Sequence, residues 1–178
     1  MYLLLYRYLM QFLSPVIRIY LWQRVLRNKE DPSRVSEKLG YPSQSKPEGQ
    51  LVWIHAASVG ETISIVPIIN ALLNECDNVS VLLTTCSTTS ATIAEDIRSE
   101  RVIHQYAPLD GSGIVCRFFD HWCPDLGIVV ESELWPNLIL NAKQRGIALA
   151  LVNARMSSKS FKRWKHFPSI IGPLLKSF

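Results

Sequence analysis

Two kinds of group in this sequence are placed to do chemistry: carboxylates beside glycine or proline, and polar side chains that directly follow short apolar runs. Glu61 follows Gly60 where a helical pattern begins. Gly60 permits tight backbone turning and close ligand approach. The free amides of a helix start can grip an anionic group, and Glu61 there is a fixed carboxylate suited to taking a proton from a hydroxyl. Glu131 ends a later apolar run, and Glu133 lies two residues on. A second carboxylate near the first stabilises positive charge, or a cation, in a transition state. Plainer roles stand beside these: a Glu in the first helical turn complements the helix dipole, and Glu133 can cap a helix opening at Trp135 and Pro136.

Several familiar devices are missing. No G-x-G-x-x-G follows the first apolar run, and there is no G-x-x-x-x-G-K-[ST] and no G-x-S-x-G. The four histidines are scattered. Hydride transfer, P-loop hydrolysis and serine-hydrolase chemistry therefore rank low. Cys76, Cys86, Cys116 and Cys123 form no Cys-x-x-Cys pair and have no His at ligand spacing. They read as reduced, mostly core or near-core cysteines of a cytosolic protein. No metal site, no cofactor and no nucleic-acid partner is expected.

The elements that must position these groups follow from the apolar rhythm. Apolar runs at 51–56, 79–85, 102–106, 126–131 and 147–152 alternate with helical patterns at 61–73, through Ile97, at 113–121 and at 134–143. Continuous apolar runs between helices are the signature of buried parallel strands. The predicted fold is α/β: a Rossmann-like open parallel sheet with helices on both faces. In such sheets ligands bind beyond the carboxyl ends of the strands. The polar residues at those ends are His55 with Ser58, Gly60 and Glu61; Thr84, Thr85 and Ser87; Asp110; Glu131 and Glu133; and Asn153 with Arg155. Taken singly, each is also readable as a loop residue or a helix cap.

The net charge of +4 is unevenly spread. Residues 1–48 carry eight basic and four acidic side chains, residues 49–133 three and eleven, and those after Glu133 eight and none. Basic ends of this kind suit an anionic membrane or a phosphorylated substrate, although a solvated surface accounts for them too. Arg155 is the best single candidate for a phosphate contact. Lys162, Arg163 and Lys165 fit either a solvated helix face or a ligand contact.

Residues 2–26 are rich in Leu, Tyr, Ile and Val, but Arg7, Pro15, Arg18 and Arg24 interrupt them. No stretch reaches the roughly 18 uncharged apolar residues of a comfortable spanning helix. The apolar residues come first, unlike those of a signal peptide. Residues 1–27 are expected to form a helix, kinked or broken near Pro15, lying in a membrane interface with Arg, Tyr and Trp at the headgroups. The alternatives are an amphipathic helix packed on the domain and a short tilted span. Residues 28–50, polar and rich in Pro and Gly, read as a linker with one helical turn near 33–39. Residues 51–178 form the Rossmann-like domain.

Residues 57–61 (Ala-Ser-Val-Gly-Glu), 131–137 (Glu-Ser-Glu-Leu-Trp-Pro-Asn) and 153–157 (Asn-Ala-Arg-Met-Ser), with Ser160, resemble three signature segments of bacterial Kdo transferases. These enzymes move 3-deoxy-D-manno-octulosonic acid (Kdo) from CMP-Kdo to the lipid A precursor, lipid IVA, in lipopolysaccharide biosynthesis. The 131–137 segment is long, ordered and rich in rare residues, so it carries most of the specificity. The resemblance covers nearly the whole chain in the same order. It implies the N-terminal, acceptor-binding half of a two-domain GT-B glycosyltransferase that inverts and needs no metal. It casts Glu61 as general base and Glu131 as transition-state stabiliser. By the same resemblance Ser58, Gly60, Thr85, Glu133, Asn153, Arg155, Ser157 and Ser160 bind substrate. The implied partners are CMP-Kdo, the lipid A precursor and the cytoplasmic face of the inner membrane. Residues 84–89 (Thr-Thr-Cys-Ser-Thr-Thr) depart from the family's Pro- and Gly-containing loop. The second domain, with most CMP contacts and a catalytic lysine, has no counterpart in these residues, so the chain is expected to be a piece of an enzyme, inactive alone. The competing expectations are a non-catalytic, membrane-associated acceptor-binding module and a flavodoxin-like regulatory domain. The latter would carry acidic residues after its first strand, where His55 stands.

Overall fold

A computed structural model describes residues 2–97 and 99–178; Met1, the first residue of the expected membrane segment, lies outside them. Two helices lead, α1 (Tyr2–Phe12) and α2 (Ser14–Leu26), followed by a 3-10 turn at Val35–Leu39. Then strand and helix alternate: β1 (Gln50–His55), α3 (Val59–Glu75), β2 (Val79–Thr85), α4 (Thr88–Glu95), β3 (Val102–Tyr106), α5 (Ser112–Trp122), β4 (Leu126–Val130), α6 (Pro136–Gln144) and β5 (Ala148–Val152). Two short helices close the chain, α7 (Ser158–Trp164) and α8 (Pro168–Leu175). All four strand pairings are parallel, and the order across the sheet is β3-β2-β1-β4-β5. The expected parallel α/β sheet is therefore present, with every strand within a residue or so of its apolar run. The helix α8 has no counterpart in the sequence expectation.

Two cores explain why the strands read as unbroken apolar runs. Val52 and Ile54 of β1 pack with Ile65 and Ile69 of α3 on one face. Leu51 and Trp53 pack with Val115, Phe118 and Phe119 of α5 on the other. Alternate side chains of one strand thus feed opposite cores, and both positions must be apolar. Gly127 in β4 is fixed by this packing: a Cβ there would meet Leu149 Cδ2 at 2.6 Å and Trp53 Cε3 at 2.8 Å.

The N-terminal helices break at Leu13, just ahead of Pro15, which has no amide to continue the ladder. Leu21 is buried, whereas Phe12 is 88% and Trp22 63% exposed, so one side of the pair packs and the other stays bare. Among the described residues no helix is long and apolar enough to cross a membrane.

The stretch read as a linker lies against the sheet. Arg34 grips Glu37 with two N–H groups (2.9 and 3.1 Å) and donates to the His104 carbonyl (2.8 Å). Glu37, fully buried, accepts from the Tyr106 amide (2.7 Å). Lys38 pairs with Glu30 (2.5 Å) and donates to the Cys86 carbonyl (2.9 Å), while Arg24 of α2 holds the other oxygen of Glu30. Charges this deep persist only when every one is partnered.

A second tie is Asp110, in the loop after β3. Its carboxylate accepts from the Asn137 and Leu138 amides (3.1 and 2.8 Å) at the start of α6 and from the Tyr6 hydroxyl (2.7 Å) of α1. It caps one helix and anchors another. Burial pushes its carboxyl up to about 6, against the pull of those donors. The folded carboxyl thus binds its proton more tightly than the unfolded one, whose ordinary value is 3.8. Its contribution to stability is full below that value and is lost as pH rises through about 6. Asp110→Ala should lower stability by about 1–2 kcal/mol through the uncapped amides. It should also remove the fall in stability across this pH window, read as melting temperature against pH.

Candidate functional site

The chain passes from β3 on one side of β1 to β4 on the other. The carboxyl ends of β1 and β4 therefore flank a topological switch point, where the crevice of such a sheet opens. After β1, Ser58 takes an extended conformation and caps α3. Its hydroxyl donates to Glu61 Oε1 (2.8 Å) and accepts from the Glu61 amide (3.3 Å); the Ala57 amide donates to Oε2 (2.9 Å). This is a reciprocal cap, with both carboxylate oxygens engaged. The Glu61 carboxylate thus bonds the residues just ahead of α3, and of the first amides of the helix only that of Glu61 is capped by the Ser58 hydroxyl. Gly60 is helical with no positive φ, and a Cβ there would have nothing within 4 Å. Room above the helix start, not backbone turning, is what Gly60 provides.

Glu131 follows β4 with φ of 56°, and Asn153 follows the neighbouring β5 with φ of 50°. Left-handed backbone is costly for any residue with a Cβ, and more so for Glu than for Asn. The Glu131 amide still bonds the Val152 carbonyl (2.9 Å), so the two bends turn together at the sheet edge. Glu133, half-buried, accepts from the Trp135 indole N–H (2.6 Å). Its carboxyl is raised above the ordinary range by burial first, and then by the charges of Glu61 and Glu131. The three carboxylates therefore share one electrostatic neighbourhood. Cys86 faces the same neighbourhood; burial and then Glu133 push its thiol up to about 12, so it is no thiolate nucleophile. Among the described residues no three His, Cys, Asp or Glu side chains form a metal-binding group.

A neutral layer lies beneath. The Thr84 hydroxyl donates to the Ile54 carbonyl and accepts from the Trp53 indole (2.9 Å), so it also accepts from His55 Nδ1 (3.1 Å). That fixes the His55 tautomer and leaves Nε2 unpartnered, with the Trp135 ring edge-on at 5.8 Å. Burial pulls the His55 pKa down to about 4, so the ring is neutral.

The other expected residues are dispersed. Thr85 is fully buried, and its hydroxyl bonds His104 Nε2 (3.0 Å), so it faces the protein rather than the crevice. Asn153 and Arg155 are exposed beyond β5. Ser157 caps α7, accepting from the Ser160 amide (3.1 Å) and donating to the Ser160 hydroxyl (3.0 Å). Sequence reasoning missed Lys38 and Glu30, which line a cavity of about 150 Å³ with Cys86 and Trp135. Nothing in their spacing signals a buried pair.

Comparison with known proteins follows this geometry. Residues 33–178 match the family described as 3-deoxy-D-manno-octulosonic-acid transferase (kdotransferase). The chain is 42% identical over 160 residues to a probable mitochondrial 3-deoxy-D-manno-octulosonic acid transferase of Arabidopsis thaliana, covering 90% of this chain and 36% of the relative. It is 36% identical over 174 residues to the transferase of Rickettsia bellii, with 98% and 41% covered. With the transferase of Haemophilus influenzae the figures are 34% over 160 residues, 89% and 38%. The chain thus spans about two-fifths of the length of such relatives.

The strained, crowded geometry at Glu131 makes a discriminating prediction. Glu131→Gly should relieve about 1 kcal/mol of left-handed strain and bring the Glu133 carboxyl down toward its ordinary value. Melting temperature and the carboxyl ¹³C titration of Glu133 read the two effects. A destabilised protein with an unmoved Glu133 titration would show that Glu131 holds the edge together rather than straining it.

Proposed function

This chain belongs to the 3-deoxy-D-manno-octulosonic-acid transferase family, matching its N-terminal domain, and on that premise we propose that it is the acceptor-binding half of a GT-B enzyme that transfers Kdo from CMP-Kdo to the lipid A precursor. The observation that carries this reading is the position of Glu61 after β1 and of Glu131 and Glu133 after β4, the two strands that flank the switch point of the sheet. In the proposed reaction an acceptor hydroxyl gives its proton to Glu61 and attacks the anomeric carbon of Kdo from the face opposite CMP. The configuration inverts as CMP leaves. Ser58 and the Ala57 amide keep the Glu61 carboxylate oriented for that approach. Glu131 supports the positive charge that develops on the sugar. Glu133 and Asn153 border the acceptor, and Arg155, Ser157 and Ser160 hold its polar groups. The charges of Glu61 and Glu131 act against the ionised form of Glu133, and a perturbed carboxyl of this kind is what a catalytic site sustains.

The bare apolar side of α1 and α2 fits the membrane role of residues 1–27. We place it on the cytoplasmic face of the inner membrane, with residues 28–50 joining it to the acceptor domain. The donor site belongs mainly to the part of the relatives that these 178 residues do not span, so the residues by themselves bind acceptor and transfer nothing. A non-catalytic acceptor-binding module has the same residues, and only the donor half separates the two readings.

The decisive experiment joins this chain to the remaining length of the Rickettsia bellii relative and measures Kdo transfer. The chimera should be active and the 178-residue chain inactive. In the chimera, Glu61→Gln keeps the shape of the side chain but takes no proton, and should cost about 10²–10⁴ in turnover with acceptor affinity retained. Near-normal turnover would make Glu61 a helix cap and nothing more. For the membrane, Phe12→Glu with Trp22→Glu should release the protein from anionic vesicles without unfolding it, and salt should weaken the binding of the unaltered protein without abolishing it. Undiminished sedimentation of the double variant would place the membrane face elsewhere.

A further inference from the structure

We propose that the apolar groove between the N-terminal helices and the loop before α6 holds one acyl chain of an anionic lipid, with the negative group of that lipid on the basic face of α7. The proposal rests on the reading above, that the acceptor is a phosphorylated lipid, and adds where its chain is held. The groove has a volume of about 520 Å³, within the range that encloses small ligands. Met10 of α1, Ile17 and Tyr20 of α2, Leu134 and Trp135 of the loop, and Trp164 of α7 supply its walls. The one carboxylate at its edge, Asp110, is already bonded by Tyr6, Asn137 and Leu138. An apolar ligand there leaves the hydrogen bonds of that carboxylate intact.

Charge selects the occupant. Trp164 also lines an adjoining cavity of about 270 Å³ with Ser160 and Arg163. Arg163 lines it directly, Lys159, Lys162 and Lys165 of the same segment are exposed, and no acidic residue follows Glu133. Arg163 is the charged group in that lining, so a negative group at that end meets positive charge. A second copy docking through the same face would bring the same basic α7 against it, charge against like charge. The surroundings favour a molecule rooted in lipid: Leu13, Val16, Phe161 and Phe167 are all exposed. On the inner side, the indole of Trp135 bonds Glu133 (2.6 Å). A chain seated in the groove thus ends one side chain away from the carboxylates.

The test uses the 178-residue chain and alkyl phosphates below their micellar concentration, with calorimetric titration. Dodecyl phosphate should occupy one site per chain. Hexyl phosphate should bind at least about 100-fold more weakly, because the groove loses the apolar contact of every missing methylene. Met10→Phe with Ile17→Phe, which fill the groove, should weaken dodecyl phosphate at least about tenfold. Lys162→Glu with Arg163→Glu should weaken dodecyl phosphate about tenfold and leave dodecyl maltoside unchanged. Equal affinity for the hexyl and dodecyl esters, or an unchanged affinity in the filled groove, overturns the proposal. Uptake that never saturates also overturns it, by making this a bare membrane surface. So does a dimer that Ile17→Phe dissolves, since a second copy is then the occupant. The function fails separately: a chimera that binds dodecyl phosphate in the groove and transfers no Kdo keeps the groove and loses the reaction. One that uses acceptors with and without acyl chains equally well keeps the reaction and loses the groove.

Discussion

Burial of the sheet on both faces is the constraint from which the rest follows. Every residue of β2 is buried, and so are five of the six in β1. No polar group can act from the face of such a sheet without losing water and gaining little in return. Polar chemistry is displaced to the carboxyl ends, and the change in strand order at β1 decides which ends face the crevice. Just below that edge the sheet admits polar side chains in mutually bonded sets. Thr84 joins Trp53 and His55, and Thr85 joins His104, whose Nδ1 in turn accepts from Arg34. These sets are neutral in their rings: burial, aided at His104 by Arg34, pulls the two imidazoles down to about 4 and about 3. The imidazoles beneath the crevice are therefore neutral.

The price of gathering three carboxylates is met by rigidity elsewhere. The 28–50 segment inserts Glu30, Glu37 and Lys38 against the same end of the sheet and pairs each with Arg24, Arg34 or the backbone. Removing one member of a buried pair costs about 3–5 kcal/mol, because the other charge is left stranded. Such a network specifies one arrangement of the edge more than it adds stability. Through Arg24 it also ties α2 to the sheet, so the N-terminal helices and the sheet edge belong to one framework.

The strands were legible because an apolar run buried on two faces has no polar residue to confuse it. The positions of Glu131 and Glu133 beyond β4 were legible because they follow such a run, and that of Glu61 because it lies in the first turn of the helix after β1. Thr85 shows where that logic stops: it also ends a run, but the sheet is covered on both sides even there, and its hydroxyl is bonded inside. The packing of residues 28–50 was not legible, since buried Glu and Lys have the same letters as solvated ones and their partners lie far along the chain. The tie from Tyr6 to Asp110 spans 104 residues and leaves no local mark. Of the two roles read for Gly60, the open space agrees with the structure and the tight turning does not, because a glycine that makes room and one that bends the chain look alike in a sequence.

The interruption at Leu13 separates two helices with unequal moorings. α2 is held by buried Leu21 and by Arg24 on Glu30, whereas the polar mooring of α1 is the Tyr6 hydroxyl on Asp110. Pro15 removes one rung, and only the bonds through Leu13, to the Leu9 carbonyl and from the Ile17 amide, bridge the junction, so α1 can detach as a unit while α2 stays folded. Amide exchange would then divide the N-terminus into a fast-opening half and a slow one. Local opening of this kind would widen one side of the molecule by the thickness of a helix without disturbing a single strand, a low-cost breathing motion set by one imino acid.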